Sequence, residues 1–367
     1  MSRGNPFTLT FGKVPDNYID RTSCVDMTAE ELTSENPSSQ VFIFTGIRGC
    51  GKTVAMTAIE QKIRKEHGDE WIVIDLSIES NMLLEFASEL DADKKLHALF
   101  TKANIEFSLG GLKVKIENAS PAPSITVTIE KMLDLVTKAG KKVLVCVDEA
   151  TNTETMREFA SVFSNLIRRP YPVFLMMTGL PQNISNLQNV RTLTFLLRAS
   201  KRVIEPLNFT LVRTRYEELI GCTRDEASQL AVITKGYSLC FQLLGYLVWE
   251  EKKNTGVNSV SVLLPQVLDK LDAMLEQFAY DKIWTDVPNV GKKILTALAE
   301  IAGNEQSEVS AVRKKAGVES ALYNRYKQLL DEKNGGKGLI DTSTWGVMRF
   351  ALPRFAEFVI SRTFSER

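Results

Sequence analysis

Few topologies can accommodate the octapeptide Gly46-Ile47-Arg48-Gly49-Cys50-Gly51-Lys52-Thr53, a complete G-x-x-x-x-G-K-[ST] match. It follows Val41–Thr45, an apolar run with the character of a strand buried on both faces. It precedes a segment in which Ala55, Ile59 and Ile63 recur at helical spacing. Glycines in such a loop let backbone N–H groups turn inward around phosphate oxygens, and the following helix presents the positive end of its dipole there. Lys52 is then placed to reach β and γ phosphates, and the Thr53 hydroxyl to ligate Mg²⁺. The expected phosphate-binding set is Gly46, Arg48, Gly49, Cys50, Gly51, Lys52, Thr53 and Val54.

A second element supports the first. Val143–Asp148 is an apolar run that ends in two adjacent carboxylates, Asp148 and Glu149. At the carboxyl end of a parallel strand, Asp148 would hold Mg²⁺ through water and Glu149 would orient and deprotonate the attacking water. Further strand-like runs are Trp71–Leu76, Val173–Thr178 and a weaker one at Arg202–Glu205, most of them separated by stretches of helical period. This alternation predicts an α/β fold, a parallel sheet with helices on both faces. Thr178 ends the fourth strand at the same sheet edge, where its hydroxyl would touch the γ phosphate or the water. Arg168 and Arg169 close the preceding helix, each a candidate arginine finger for a neighbouring subunit's nucleotide.

The long stretch between the second and third strands, which contains a hairpin-like Gly110–Ile116 and a loop with Pro121 and Pro123 before helix Ile125–Lys138, reads as an insertion. After Pro206 only helices are expected: Leu211–Ile220, Thr223–Thr234, Tyr237–Glu251 and Ser261–Tyr280. Past Pro288 the order becomes helices Val290–Ala302, Glu308–Ala316 and Ser320–Lys333, then strands Leu339–Ser343 and Val347–Leu352. That order is the one found in a winged helix-turn-helix. Three domains follow, at residues 1–208, 209–286 and 287–367, as the length of 367 residues allows.

Composition excludes more than it assigns. Lys plus Arg and Asp plus Glu balance at 45 each, so only local charge can argue for a nucleic-acid partner, and none argues for a membrane. Five cysteines, none in a C-x-x-C pair, and two distant histidines support neither a disulfide framework nor a zinc site. Reduced, buried thiols and the lack of an apolar N-terminal stretch or spanning run lead to the expectation of a soluble, cytoplasmic protein.

With these pieces in order, the chain resembles the AAA+ superfamily, and within it prokaryotic ATP-binding proteins near the Orc/Cdc6 and STAND groups. The resemblance runs over nearly the whole length. Asn5-Pro6-Phe7, Phe11-Gly12 and Tyr18-Ile19-Asp20-Arg21 look like the family's segment along the adenine. Walker A, Walker B and the Thr178-Gly179-Leu180-Pro181 sensor follow. Thr194–Arg198 and Glu205-Pro206-Leu207 resemble the exit from the core, and Gly236-Tyr237-Ser238-Leu239 with Gln242-Leu243-Leu244 the lid helix. The resemblance implies strand order 5-1-4-3-2, a helical lid, and ATP with Mg²⁺ as ligands. Asp20 stands where such proteins usually carry Gly, and Ser238 where STAND members usually carry Pro.

Two functions remain open. In one, ATP closes the lid, assembles a homo-oligomer and repositions a winged helix that binds duplex DNA through residues 307–350. From Val287 onward the chain carries 13 Lys and Arg against 9 Asp and Glu, a net +4. The expected recognition helix buries Leu322, Tyr326 and Leu329 and turns Ser320, Tyr323, Asn324 and Lys327 outward, near Arg313, Lys314, Lys315, Lys333 and Lys337. In the other, a signalling or defence ATPase uses the winged helix to dock protein. No N-K-x-D guanine motif is present, and the Asp-Glu pair favours water as phosphoryl acceptor.

Overall fold

The computed structural model describes residues 4–10, 12, 14–15, 18–19, 24–103, 105, 124–331 and 336–365. Phe11, Asp20, Arg21, the expected hairpin 110–116, Pro121, Pro123 and Lys333 lie outside them. The chain forms two compact units. One, the core unit, comprises residues 22–45 and 52–203; the other, the helical unit, comprises 1–21, 46–51 and 204–367.

The core unit is built on five parallel strands: β1 (Val41–Thr45), β2 (Trp71–Leu76), β3 (Lys142–Val147), β4 (Val173–Gly179) and β5 (Ser200–Val203). Their order is β2-β3-β4-β1-β5, the order 5-1-4-3-2 that the resemblance implied. Every residue of β1 and β4 is buried, as expected of strands covered on both faces. The edge strand β5 alternates between half-buried and exposed positions, and it begins two residues earlier than the weak apolar run suggested.

Among the described residues, the α-helices of this unit are α1 (Val25–Thr33), α2 (Lys52–His67), α3 (Met82–Ala92), α4 (Lys94–Lys102), α5 (Ile125–Lys138), α6 (Glu154–Leu166) and α7 (Pro181–Gln188). Side-chain caps set the starts of three. Asn81 accepts from Leu84 N–H, Ser124 from Val127 N–H and Thr153 from Met156 N–H, each satisfying an otherwise orphan donor. Phe86, Leu90 and Phe100 of α3 and α4 are fully buried with α5 and α6, so residues 82–102 of the supposed insertion are part of the core.

The helical unit holds α8 (Phe209–Ile220), α9 (Arg224–Thr234), α10 (Ser238–Thr255) and α11 (Val260–Leu275). A wide turn at Glu276–Tyr280 joins α11 to α12 (Asp281–Thr285), so the expected helix Ser261–Tyr280 runs on for a further turn. Then come α13 (Asn289–Ala302), β6 (Ser307–Glu308), α14 (Val309–Ala316), α15 (Ser320–Leu330), β7 (Ile340–Asp341), β8 (Val347–Phe350) and α16 (Phe355–Ser365). The small antiparallel sheet has order β6-β8-β7, which completes a winged helix. One apolar cluster runs from Phe7 through α8–α11 to Val359, so the helices and the winged helix share a core. Arg354 reaches back from before α16 to the Asp272 carboxylate on α11, and the Tyr280 hydroxyl donates to Pro353 O at 2.6 Å.

The orientation expected for α15 is not observed. Tyr323, expected outside, is fully buried, while Leu322, expected inside, is exposed. The buried stripe is Tyr323 and Leu330 with Tyr326 partly covered, and the Tyr323 hydroxyl donates to Val309 O at 3.2 Å. A phenol with an internal acceptor is stable inside, and that decides the face.

Candidate functional site

All strands of the main sheet are parallel, so the segments after β1, β3 and β4 leave from the same edge. Register places Thr178 beside Phe44 and Met177 beside Val147, bringing the ends of β1, β4 and β3 level. Three side chains and one backbone amide gather there from three segments. The Thr53 hydroxyl, on the first turn of α2, donates to Asp148 Oδ2 at 2.8 Å. Thr178 donates its hydroxyl hydrogen to Asp148 Oδ1, and the Glu149 N–H bonds both Asp148 Oδ1 at 3.0 Å and Thr178 Oγ1 at 3.2 Å. Glu149 adopts φ 51°, a left-handed conformation costing a side-chain-bearing residue about 1–2 kcal/mol. The turn is held there by those bonds and by Ala150 N–H to Thr178 O at 2.7 Å.

Thr178 is fully buried, and its donor goes to Asp148. Gly179 is required by packing: a Cβ there would lie 2.7 Å from Ile184 Cδ1 and 3.1 Å from Ala150 O. Lys52 is 8% exposed, Val54 and Asp148 are half-buried, and the Glu149 side chain is exposed. Hard oxygen donors on Thr53 and Asp148 form a set that suits Mg²⁺. Buried Lys52 and the loop's amides form a set that suits phosphate.

The loop 46–51 is shaped within the helical unit. The Tyr237 hydroxyl donates to Arg48 O at 2.6 Å, Leu239 N–H to Gly49 O at 3.1 Å, and the Ser238 hydroxyl to Cys50 O at 2.9 Å. A trans peptide sets its N–H opposite its C=O. Turning the Arg48 and Cys50 carbonyls toward the start of α10 therefore turns the Gly49 and Gly51 N–H groups away from it. Gly49 and Gly51 take φ 78° and 96°, and a Cβ on Gly49 would meet the Tyr237 hydroxyl at 2.3 Å. Burial holds the Tyr237 phenol well above its usual range, so it stays a donor. Gly46 and Cys50 are buried, and Ile47 and Arg48 half-buried. Tyr237 and Ser238 were read only as part of a lid helix; their grip on the loop spans about 190 residues and leaves no local sequence signal.

Arg168 and Arg169 lie away from this edge, because α6 carries the chain back to where β4 begins. Arg169 pairs with Glu130 on α5 at 2.6 Å, and Arg168 bonds Asn165. At the N-terminus, Asn5 Nδ2 donates to Glu250 Oε1 at 2.9 Å, Thr8 N–H to Gln242 Oε1 at 3.2 Å, and Phe7 fits the space over Gly245. The segment expected along the adenine is thus seated on α10.

Over 96% of both chains, the structure matches the Aeropyrum pernix ORC2 protein in its ADPNP–ADP complexes, at 14% identity and a TM-score of 0.54. The chain has an Orc/Cdc6-type AAA+ fold. Also similar are Cdc6p from Pyrobaculum aerophilum, at 14% identity, 98% and 97% coverage and a TM-score of 0.47, and the Aeropyrum pernix ORC1 protein in complex with DNA, at 13%, 95% and 94%, and 0.47. Residues 277–359 match a family described as a domain of unknown function, DUF8462, and this span contains the winged helix. No curated protein matches the sequence. No helix among the described residues is long and apolar enough to cross a membrane.

Proposed function

We propose that this AAA+ chain is a Mg-ATP-dependent switch that hydrolyses ATP at Gly46–Thr53 and carries its nucleotide state to the winged helix. The observation that supports it most is the 2.8 Å bond between the Thr53 hydroxyl and the Asp148 carboxylate, with Thr178 and Glu149 bonded to the same carboxylate. In this reading Gly46, Arg48, Gly49, Cys50, Gly51 and Val54 contribute the phosphate loop, and Lys52 its cation. Thr53 and Asp148 hold Mg²⁺, which when bound neutralises phosphate charge. Thr178 fixes the Asp148 carboxylate, and exposed Glu149 takes the proton of the attacking water. The grip of Tyr237, Ser238 and Leu239 on the loop gives a direct route from bound phosphate to α10, within the core that also holds the winged helix. Residues 209–286 act as lid and 287–367 as effector domain, with Arg168 or Arg169 serving as finger in an ATP-dependent homo-oligomer.

The partner read first is duplex DNA. Exposed Asn324 and Arg325 on α15, with Arg313, Lys314 and Lys315 at the end of α14, face solvent on the segment of net +4 charge. Tyr323 is removed from that surface by its burial. Trp345, 96% exposed in the turn between β7 and β8, supports the second reading, a protein dock, because aromatic anchors dominate such interfaces. Gel retardation of duplex DNA by full-length protein, with and without ATP at about 50 mM salt, separates them. DNA binding that falls steeply with salt and weakens on replacing Arg313, Lys314 and Lys315 together supports the first. Absence of any retardation assigns the winged helix to protein.

A further inference from the structure

The main sheet carries three ionisable side chains that the nucleotide site does not use. Asp75 on β2 and Cys146 on β3 are register partners, so their side chains leave the sheet on one face. Glu60, about two turns along α2 from Lys52, meets them there. The donor atoms of Glu60, Asp75 and Cys146 all lie within 4.8 Å of one another, the single such group among the described residues. Glu60 is 7% exposed, and its Oε1 has no hydrogen-bond partner. Cys146 is wholly buried, whereas Asp75 opens to solvent and pairs with Arg64 at 3.3 Å. The Glu60 carboxyl is bonded to Cys146 and Asp75, which leaves Oε1 as the unsatisfied buried atom that a ligand would take.

We propose that Glu60, Asp75 and Cys146 bind one thiophilic divalent cation, of the Zn²⁺ class, that ties α2 to β2 and β3. A thiolate beside two carboxylates selects Zn²⁺ over Mg²⁺ and Ca²⁺, which take oxygen alone. Tetrahedral bonds of about 2.0–2.3 Å set donors about 3.3–3.8 Å apart, a contraction within the rotamer reach of Glu60 and Asp75. The fourth position goes to water from the open side of Asp75. Three ligand anions balance the cation together with Arg64. An unbound thiol carries its proton at neutral pH, and burial favours the protonated form of the Glu60 carboxyl. The cation displaces the thiol proton of Cys146 and the carboxyl proton of Glu60 to solvent, with no transfer of electrons.

The test uses the full chain after chelator treatment and dialysis, titrated with Zn²⁺ by calorimetry and with Co²⁺ by absorption. The expected result is one ion per chain, proton release seen as a dependence of heat on buffer ionisation, a higher melting temperature, and a thiolate-to-cobalt charge-transfer band. Cys146→Ser removes that band and Cys222→Ser retains it. Because Asp75 is exposed, Asp75→Asn keeps the fold and weakens Zn²⁺ at least tenfold. Zn²⁺ that binds the Asp75→Asn variant as tightly as the parent, or melting unchanged by Zn²⁺ and chelator, would overturn the proposal and leave Glu60 as a buried neutral acid.

Discussion

Glu149 and Asp148 are neighbours with different surroundings: Asp148 receives hydrogen bonds from Thr53, Thr178 and the Glu149 amide, while the Glu149 side chain is exposed. In the proposed function, that difference suits Asp148 to fixing a cation and Glu149 to proton transfer. Glu149→Gln is expected to keep ATP bound and lower turnover by about 10²–10⁴-fold; turnover at the parent rate would exclude it as the base. Tyr237→Phe removes a donor to Arg48 O and should weaken ATP about tenfold with the fold retained, as read by calorimetry. Glu60 supplies a pH dependence. Its folded carboxyl titrates near 7 against an ordinary value of 4.5, through burial first and Asp75 second. The folded chain therefore holds a proton that the unfolded chain releases. That stabilisation is complete below about pH 4.5 and is lost as pH rises through 7. Chelator-treated protein should lose on the order of 2–3 kcal/mol between pH 5 and 8 in denaturant titrations, and Glu60→Gln should flatten the slope. The glycines, Lys52 and Thr53 are legible in sequence because each answers to a backbone or ligand requirement within one loop, and Asp148 because it closes an apolar strand. Tyr237 was not, since its partner is fixed only by the tertiary fold.

Among the elements, the buried strands and Ile125–Lys138 could be read because their apolar residues have one place to go. β6 could not. Ser307 and Glu308 are polar, and they form a strand only because Val347 and Met348 pair with them. On α15, Leu322, Tyr323, Tyr326, Leu329 and Leu330 offer two overlapping apolar stripes, and the choice between them rests on Val309 O and Met348, which accept and cover the Tyr323 hydroxyl. Phe355, Phe358 and Val359 of α16 had the periodicity of a packed helix that was left unassigned. Arg354, just before α16, is held to Asp272 on α11 and to Glu357, with φ 53°. Arg354→Ala should cost about 2–3 kcal/mol in denaturant unfolding, because it leaves a half-buried Asp272 carboxylate without its cation. A change below about 0.5 kcal/mol would show that the pair does not fasten the winged helix to α11.

At the scale of the molecule, the loop 46–51 packs with the helical unit while the residues on either side of it, up to Thr45 and from Lys52, belong to the core unit. The parallel α/β sheet follows from the alternation of buried runs and helices, and the AAA+ fold with its strand order from the resemblance of its motifs, whereas the partner depends on surface chemistry that charge counting resolves poorly. Everything else rests on phosphate binding by Gly46–Thr53. Titration calorimetry of Mg-ATP into the full-length parent and into Lys52→Ala tests it most directly. One nucleotide per chain bound by the parent, with affinity reduced at least a hundredfold in the variant, is the expected result, whereas equal affinity for both proteins would contradict it.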